Sequence, residues 1–176
     1  MSEIAPGCAS PTVRHPLPPA ADVRARVLIL GTMPSPRSRA EGFYYAHPGN
    51  RFWPVMAALF HAPTPEGTDA RRAFLLSHRI ALWDVLASCR IRGAADHTIR
   101  EAVPNPLPQW VAGRELRAIF TTGGAAWKYY RKFFGADPSL PPCFPLPSTS
   151  GMNARASLEE LTLAYRAILP FLNADD

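Results

Sequence analysis

The chain has 176 residues with 47% hydrophobic and 19% charged side chains, an ordinary balance for one globular domain that buries a core. No segment approaches the ~20 apolar residues that span a bilayer, and the amino terminus lacks the long apolar stretch of a signal peptide. We therefore expect a cytoplasmic protein without membrane contact. A formal charge of +5 favours polyanionic partners only weakly.

The positions of the cysteines and prolines argue against some kinds of site and indicate how the chain divides into tail and domain. Three cysteines, Cys8, Cys89 and Cys143, are far apart and odd in number, which argues against a disulfide framework and against a metal site built on clustered thiolates. The amino-terminal stretch holds five prolines and shows no apolar periodicity. The sequence therefore predicts a flexible tail over residues 1–22 and a single domain over residues 23–176.

The first half of the domain is predicted to contain a buried strand followed by helices. Residues 26–31 contain the continuous apolar run Val27 to Leu30, which is typical of a strand buried on both faces. Apolar residues at helical spacing predict a helix over 51–60, and Asp69 is the predicted N-cap of a helix over 70–78. Residues 80–86 are apolar again and fit either a strand or a buried turn.

Strands and helices alternate in the second half. The predicted segments are an irregular polar stretch over 89–109, a buried strand over 116–121, a helix over 125–134, a short strand over 143–146, and a helix over 157–172 with a capping box at Ser157 and Glu160. We expect a three-layer α/β/α sandwich around about four mainly parallel strands. The loops at Gly31, Thr122 and Pro147 should then converge at the carboxyl ends of the strands, where such sheets bind ligands.

Residues 27–53 carry the most informative pattern. A strand ends in a Gly-Thr-Met-Pro turn, and residues 44–53 (YYAHPGNRFW) then place polar side chains between aromatic ones, which indicates the mouth of a binding pocket. Together with a late Pro147-Ser-Thr-Ser, these motifs resemble the uracil-DNA glycosylase superfamily. They are most similar to the hypoxanthine-DNA glycosylase (DNA-deoxyinosine glycosylase) family, which is related to the mismatch-specific uracil/thymine branch. One departure is Met33, where that branch carries asparagine.

The resemblance implies the activity. It implies the glycosylase fold and a monofunctional DNA glycosylase that flips out a deaminated base, hypoxanthine first, and hydrolyses its N-glycosidic bond to leave an abasic site in base excision repair. It implies no metal or organic cofactor. The two strongest motifs contain no lysine, so a lyase step through a Schiff base is not expected. The implied partner is double-stranded DNA, with single-stranded DNA as a second form, bound by a cytoplasmic monomer that in a bacterium is associated with the nucleoid.

The resemblance also implies a base-binding pocket. Its residues are Gly31, Thr32, Met33, Pro34, Ser35, Ser38 and Tyr45. The Tyr45 ring is expected to stack on the base, the alternative being a core tyrosine, and Tyr44 is expected to be structural. Backbone amides of the turn can stabilise charge on the departing base.

Water activation points to Asn50 and His47 as the catalytic candidates. The thioether of Met33 can neither abstract nor orient a water proton, whereas an amide can orient water. The alternative for Asn50 is a loop brace, and the alternative for His47 is a hydrogen-bonded scaffold residue. Glu41 is interpreted as a solvated loop charge.

The late loop is expected to contact DNA at the flipped nucleotide. Its residues are Pro147, Ser148, Thr149, Ser150, Gly151, Met152, Asn153 and Arg155. Met152 is the predicted wedge between bases, the alternative being a packed methionine. Basic residues on the 125–134 helix are interpreted as a solvated face, and Asp84 and Asp96 as capping or turn residues.

Three other functions stay open on the sequence. The nearest is a uracil or mismatch (G:U or G:T) glycosylase of the same superfamily. A second is a catalytically silent DNA-binding module, which the Met33 departure makes conceivable. A third is a nucleotide-using doubly wound enzyme, which the absence of a phosphate-loop or dinucleotide fingerprint argues against.

Overall fold

The computed structural model describes residues 10–173, which form two β-sheets and the helices around them. The strands are β1 (Thr12–Arg14), β2 (Val27–Gly31), β3 (Ile80–Asp84), β4 (Leu86–Arg90), β5 (Arg100–Pro104), β6 (Ala118–Thr122) and β7 (Cys143–Leu146). The α-helices are α1 (Pro36–Glu41), α2 (Phe52–Leu59), α3 (Gly67–Ser77), α4 (Leu107–Val111), α5 (Gly124–Phe134), α6 (Leu158–Tyr165) and α7 (Leu169–Leu172). Short 3-10 turns occupy Asp96–Thr98 and Arg166–Ile168.

A four-stranded parallel sheet in the order β3-β2-β6-β7 lies at the centre. Strand β2 is apolar and buried throughout, and β6 is apolar as far as Phe120 and buried as far as Thr121, as parallel strands covered on both faces require. Helix α3 contacts β3, helix α5 contacts β6, and helix α2 packs against α6. The predicted α/β sandwich with about four mainly parallel strands is confirmed.

A second, antiparallel sheet in the order β1-β4-β5 was not predicted. Residues 10–22 differ from the flexible tail predicted for them, since β1 pairs with β4, Leu17 and Ala20 are buried, and Ala20 bridges to Leu82. The prediction of irregular chain over 89–109 is wrong, because much of it forms β4, β5 and α4. Residues 1–9, with Cys8, lie outside the described residues.

Two helix boundaries also differ from prediction. Helix α3 begins at Gly67 after Glu66, so Asp69 lies in the first turn, where its charge is favourable near the helix N-terminus, and is not the N-cap. The predicted final helix is broken into α6, a 3-10 turn and α7, which carries Pro170 in its first turn, where a missing N–H is tolerated. The capping box of Ser157 and Glu160 is confirmed.

Among residues 10–173, none of the helices has the length and apolar character to cross a membrane.

Candidate active site

A cavity of about 320 Å³ lies at the carboxyl ends of the parallel strands. The predicted residues that line it are Gly31, Thr32, Met33, Pro34, Ser35, Ser38, Tyr45, His47, Asn50, Ser148, Thr149, Ser150, Gly151 and Met152. Tyr44, Asp84, Ala94, Asp96 and Thr122 line it as well. Pro147, Asn153 and Arg155 lie outside this lining. The converging loops follow from the topology, since all four strands end at one edge of the sheet.

The turn after β2 is held by serine side chains and offers free amides. Ser35 caps α1, with its Oγ accepting from the Ser38 N–H at 3.1 Å. The buried Ser38 Oγ accepts from the Ala46 N–H at 3.2 Å, which ties the turn to the aromatic motif. The N–H groups of Met33 and Ser35 have no acceptor within residues 10–173. These amides are available to an acceptor in the cavity.

One face of the Tyr45 ring packs against another aromatic side chain. It stacks on Phe52 with ring centroids 4.0 Å apart and planes 15° apart, and its hydroxyl lies 3.3 Å from Thr122 Oγ1. Burial raises the pKa of Tyr45, nearby Asp84 raises it further, and the bond to Thr122 opposes the rise. Tyr44, in contrast, is buried and donates its hydroxyl to Pro18 O at 2.9 Å.

Asn50 has a fixed amide orientation. Its Oδ1 accepts from the Phe52 N–H at 2.9 Å and from Thr149 Oγ1 at 2.8 Å. Because a backbone N–H can only donate, the oxygen must occupy this position, and the amide nitrogen is left as a donor. His47 is exposed, and its Nδ1 accepts from the Gly49 N–H at 3.0 Å.

The aromatic motif and the late loop are joined into one unit. The Arg51 N–H donates to Thr149 O at 2.9 Å, and its guanidinium donates to Asn153 O at 2.7 Å and to Ala156 O. A Cβ at Gly151 would come within 2.8 Å of Gly49 O, so the close approach of the two loops requires glycine there. On this unit Met152 is 84% exposed.

Two carboxylates at the cavity have more than the capping or turn roles predicted for them. Asp84 ends β3, is 4% exposed, and binds His15. Asp96 accepts from Thr32 Oγ1 at 3.1 Å. Desolvation raises the pKa of the Asp96 carboxyl, the bond from Thr32 opposes the rise, and Asp84 adds to it. The position of Asp84 at the carboxyl end of a buried strand was the signal that could have identified it.

Within residues 10–173, no cluster of three or more histidine, cysteine or acidic side chains could hold a metal ion. The cavity instead combines an aromatic face, lining residues with unpaired N–H donors, and two carboxylates. These groups can hold a planar heterocycle by stacking on its face and hydrogen bonding at its edge.

Known proteins are similar to this chain in sequence and in fold. A sequence model described as "Uracil DNA glycosylase superfamily" matches residues 18–169. The chain is 30% identical over 151 residues to a hypoxanthine DNA glycosylase of Methanosarcina acetivorans, covering 82% of this chain and 91% of the relative. It is 32% identical over 85 residues to a hypoxanthine DNA glycosylase of Methanosarcina barkeri, covering 48% of this chain and 54% of that relative.

A solved structure agrees with these matches. The solution NMR structure of a candidate uracil DNA glycosylase from Methanosarcina acetivorans superposes with a TM-score of 0.72 at 27% identity. The superposition covers 89% of this chain and 98% of that structure. The superfamily predicted from the motifs is thereby confirmed. The chain belongs to the uracil DNA glycosylase superfamily and is a DNA glycosylase.

Proposed function

We propose that the protein is a monofunctional glycosylase that removes deaminated bases from double-stranded DNA, with hypoxanthine as its main substrate. The observation that carries the proposal is a single cavity lined by the Tyr45 ring, the turn at Gly31 to Ser35, and the Asn50 amide. A base flipped from the helix can stack on the ring and meet donors at its edge. The names of the two Methanosarcina relatives support hypoxanthine.

The chemistry fits a departing base that gathers negative charge. Cleavage of the N-glycosidic bond leaves positive charge on the sugar and negative charge on the base. Free N–H groups at Met33 and Ser35 act on that negative charge, and preorganised donors of this kind stabilise transition states strongly. Asn50 adds an amide donor that can orient a water molecule or the base.

Met33 favours a substrate that depends less on an activated water. A thioether cannot take a proton from water, whereas the mismatch-specific branch that the motifs resemble carries asparagine at this position. The alternative substrate is uracil or a mismatched base. Action as a cytoplasmic monomer, with single-stranded DNA as a second substrate form, stays a prediction of this proposal.

Cleavage of defined duplexes tests the proposal. Each duplex carries one inosine, uracil, xanthine or G:T mismatch, and alkali converts abasic sites to strand breaks. We expect breaks at inosine first. Absence of breaks on every duplex, with tight DNA binding retained, would instead identify a silent DNA-binding module.

A variant of Asn50 tests its catalytic role. We expect Asn50→Ala to slow inosine cleavage at least ~100-fold, the lower end of what a positioned polar group contributes. The exposed Arg166→Ala is the matched control and should leave the rate unchanged. Thermal unfolding of both variants separates lost catalysis from lost fold. An Asn50→Ala protein that is folded and cleaves inosine as fast as the wild type would remove Asn50 from the mechanism.

A further inference from the structure

Helix α5 carries three cations and no acidic residue, and these cations, Lys128, Arg131 and Lys132, are called the basic ridge below. Apart from Lys128 and Lys132, every one of the 19 lysine and arginine residues of the chain is an arginine. None of the three cations forms an ion pair with a carboxylate within residues 10–173. The nearest carboxylate along the chain, Asp137, is bound by the Ser139 N–H at 2.9 Å and by its hydroxyl at 2.6 Å. The positive charge of the ridge is therefore not neutralised by the protein.

The spacing of these charges makes them repel one another. Lys128 lies three residues before Arg131 and four before Lys132, and residues at these spacings are neighbours on a helix surface, where like charges are unfavourable. Arg131 and Lys132 lie in the last turn, where the helix dipole favours cations. Lys128 lies in the middle of the helix, beyond the reach of that dipole. A polyanion bound along the ridge would replace the repulsion by attraction.

The ridge side chains lie against aromatic rings of the same helix, with the charged group 5.3 to 5.8 Å from the ring centroid. The pairs are Lys128 with Tyr129, Arg131 with Trp127, and Lys132 with Phe133. A cation over a ring keeps its charge and its N–H donors. Because the rings already restrict these long side chains, less conformational freedom is lost when the ridge binds an anion.

The ridge begins at the rim of the cavity. Helix α5 follows directly on β6, whose last residue, Thr122, lines the cavity. A Cβ at Gly123 would come within 3.1 Å of the Ser148 Cβ, so the start of the helix lies against the late loop. The helix then leads away from the carboxyl ends of the strands. Its cations therefore extend the surface on which DNA is expected to lie.

One side of the helix faces the small antiparallel sheet. Burial raises the pKa of Tyr129, Cys89 of β4 raises it further, and Arg100 of β5 opposes the rise. Arg100 is exposed and forms no ion pair within residues 10–173, like the ridge cations. It follows the turn that carries Asp96, which lines the cavity. Positive surface therefore continues from the ridge toward the cavity on this side as well.

We propose that the basic ridge binds the phosphate backbone of the duplex about two to four nucleotides from the flipped base. At about 1.5 Å per residue, Lys128 lies about 6 Å and Lys132 about 12 Å along the helix from Gly124. A DNA strand advances about 3.4 Å per nucleotide, which gives the proposed span. The inference rests on duplex DNA as the substrate and not on which base is removed. Phosphate contacts position a duplex without reading its sequence, so the ridge adds affinity for every substrate.

The salt dependence of duplex binding tests the ridge. The duplex carries a tetrahydrofuran abasic analogue, which offers no base to cleave, so binding is measured whatever base the enzyme removes. Each phosphate contact contributes about 0.9 to the slope of log K against log salt concentration. We expect Lys128→Ala and Lys132→Ala each to reduce that slope by about one. The triple variant, with Arg131→Ala added to both, should reduce it by about three.

Arg114 supplies the matched control. Its guanidinium carbon lies 4.3 Å from the centroid of the Trp110 ring, and it forms no ion pair within residues 10–173. It precedes β6, so it lies at the amino ends of the strands, at the opposite edge of the sheet from the cavity. Arg114→Ala should leave the slope unchanged, and so should Lys128→Arg, which keeps the charge. Single-turnover cleavage at saturating duplex should be unchanged in the ridge variants.

Lysine acylation gives a second measurement, on the unaltered protein. Because Lys128 and Lys132 are the only lysines in the chain, an amine-reactive reagent followed by peptide mass spectrometry reports on the ridge directly. We expect the abasic-analogue duplex to slow acylation of both lysines several-fold. Thermal unfolding is measured for every variant. If the triple variant does not fold, the single variants and the acylation of the wild type decide the question.

Two results would overturn the inference. One is a salt slope in the folded ridge variants that equals the slope of Arg114→Ala. The other is equal acylation of Lys128 and Lys132 in the free and the duplex-bound protein. Either result would leave the three cations as a solvated helix face. A wild-type enzyme that binds the duplex through the ridge but leaves inosine intact is a different outcome, since it overturns the proposed function and not the ridge.

Discussion

Tyr45 has a backbone conformation that few residues other than glycine adopt, with φ of 53°. The stacking of its ring on Phe52 accompanies this geometry. Such unusual conformations persist only where the surroundings enforce them, and they cluster at functional sites. We interpret the backbone of Tyr45 as the means by which its ring lines the cavity.

Substitution of Tyr45 separates the ring from the hydroxyl. Stacking of a base on an aromatic side chain is worth about 1–3 kcal/mol, so Tyr45→Ala should slow inosine cleavage by ~10-fold or more. Tyr45→Phe and Thr122→Val each keep the ring and remove the hydroxyl pair, and both should retain most of the rate. Equal losses in Tyr45→Ala and Tyr45→Phe would contradict the stacking role.

The raised pKa of the Asp96 carboxyl predicts how the stability of the protein changes with pH. The pKa of the Asp96 carboxyl in the folded protein is raised above that of an ordinary aspartate. Between these two pKa values the folded state binds more protons than the unfolded state, so stability falls as pH rises through this window. Asp96→Asn removes this dependence. The free energy of unfolding is measured in urea from pH 3 to pH 7 for both proteins. The value for Asp96→Asn minus the value for the wild type should therefore increase with pH. A difference that is constant across this range would contradict the raised pKa.

The loop elements around the cavity depend on Arg51. Its backbone N–H binds Thr149 O in the late loop, and its guanidinium binds Asn153 O in that loop and Ala156 O beyond it, so the side chain holds the segment that follows the exposed Met152. Hydrogen bonds to a charged group contribute about 1.5–3 kcal/mol each. Loss of the guanidinium should loosen the loop without altering the base edge.

Arg51→Ala should therefore slow all substrates by a similar factor. We expect lower protection of residues 148–156 in hydrogen exchange and an unchanged ratio of the inosine and uracil cleavage rates, with Arg166→Ala as the unaffected control. The cleavage rates of Arg51→Lys should lie between those of Arg51→Ala and the wild type, since an ammonium cannot reproduce the two contacts of the guanidinium. A selective loss of inosine cleavage would place Arg51 in base selection and contradict a purely loop-bracing role.

At the level of elements, prediction succeeded where burial is complete. Strand β2 is a continuous apolar run and β6 begins with one, a pattern that hydrophobicity alone identifies. Strands β4 and β5 were missed because polar residues interrupt them and two register shifts disturb their pairing. Their stability comes from partners along the chain, which local patterns do not reveal.

At the level of the whole molecule, the parallel topology brought the predicted pocket residues together. Ligands bind at the carboxyl ends of parallel strands, and this rule was sufficient to predict that the turn at Gly31, the aromatic motif and the late loop lie around one cavity. The pair of His15 and Asp84 spans 69 positions, and that of Thr32 and Asp96 spans 64. Such pairs depend on the register of the small antiparallel sheet, so single-residue reasoning could not find them.

The most direct test of the central claim is identification of the released base. An inosine-containing duplex is incubated with the full-length protein, and free hypoxanthine and abasic strands are quantified by mass spectrometry. Our account predicts free hypoxanthine in a one-to-one ratio with abasic strands, formed more slowly by Asn50→Ala. Intact inosine strands after complete duplex binding, or uracil released far faster than hypoxanthine from matched duplexes, would contradict it.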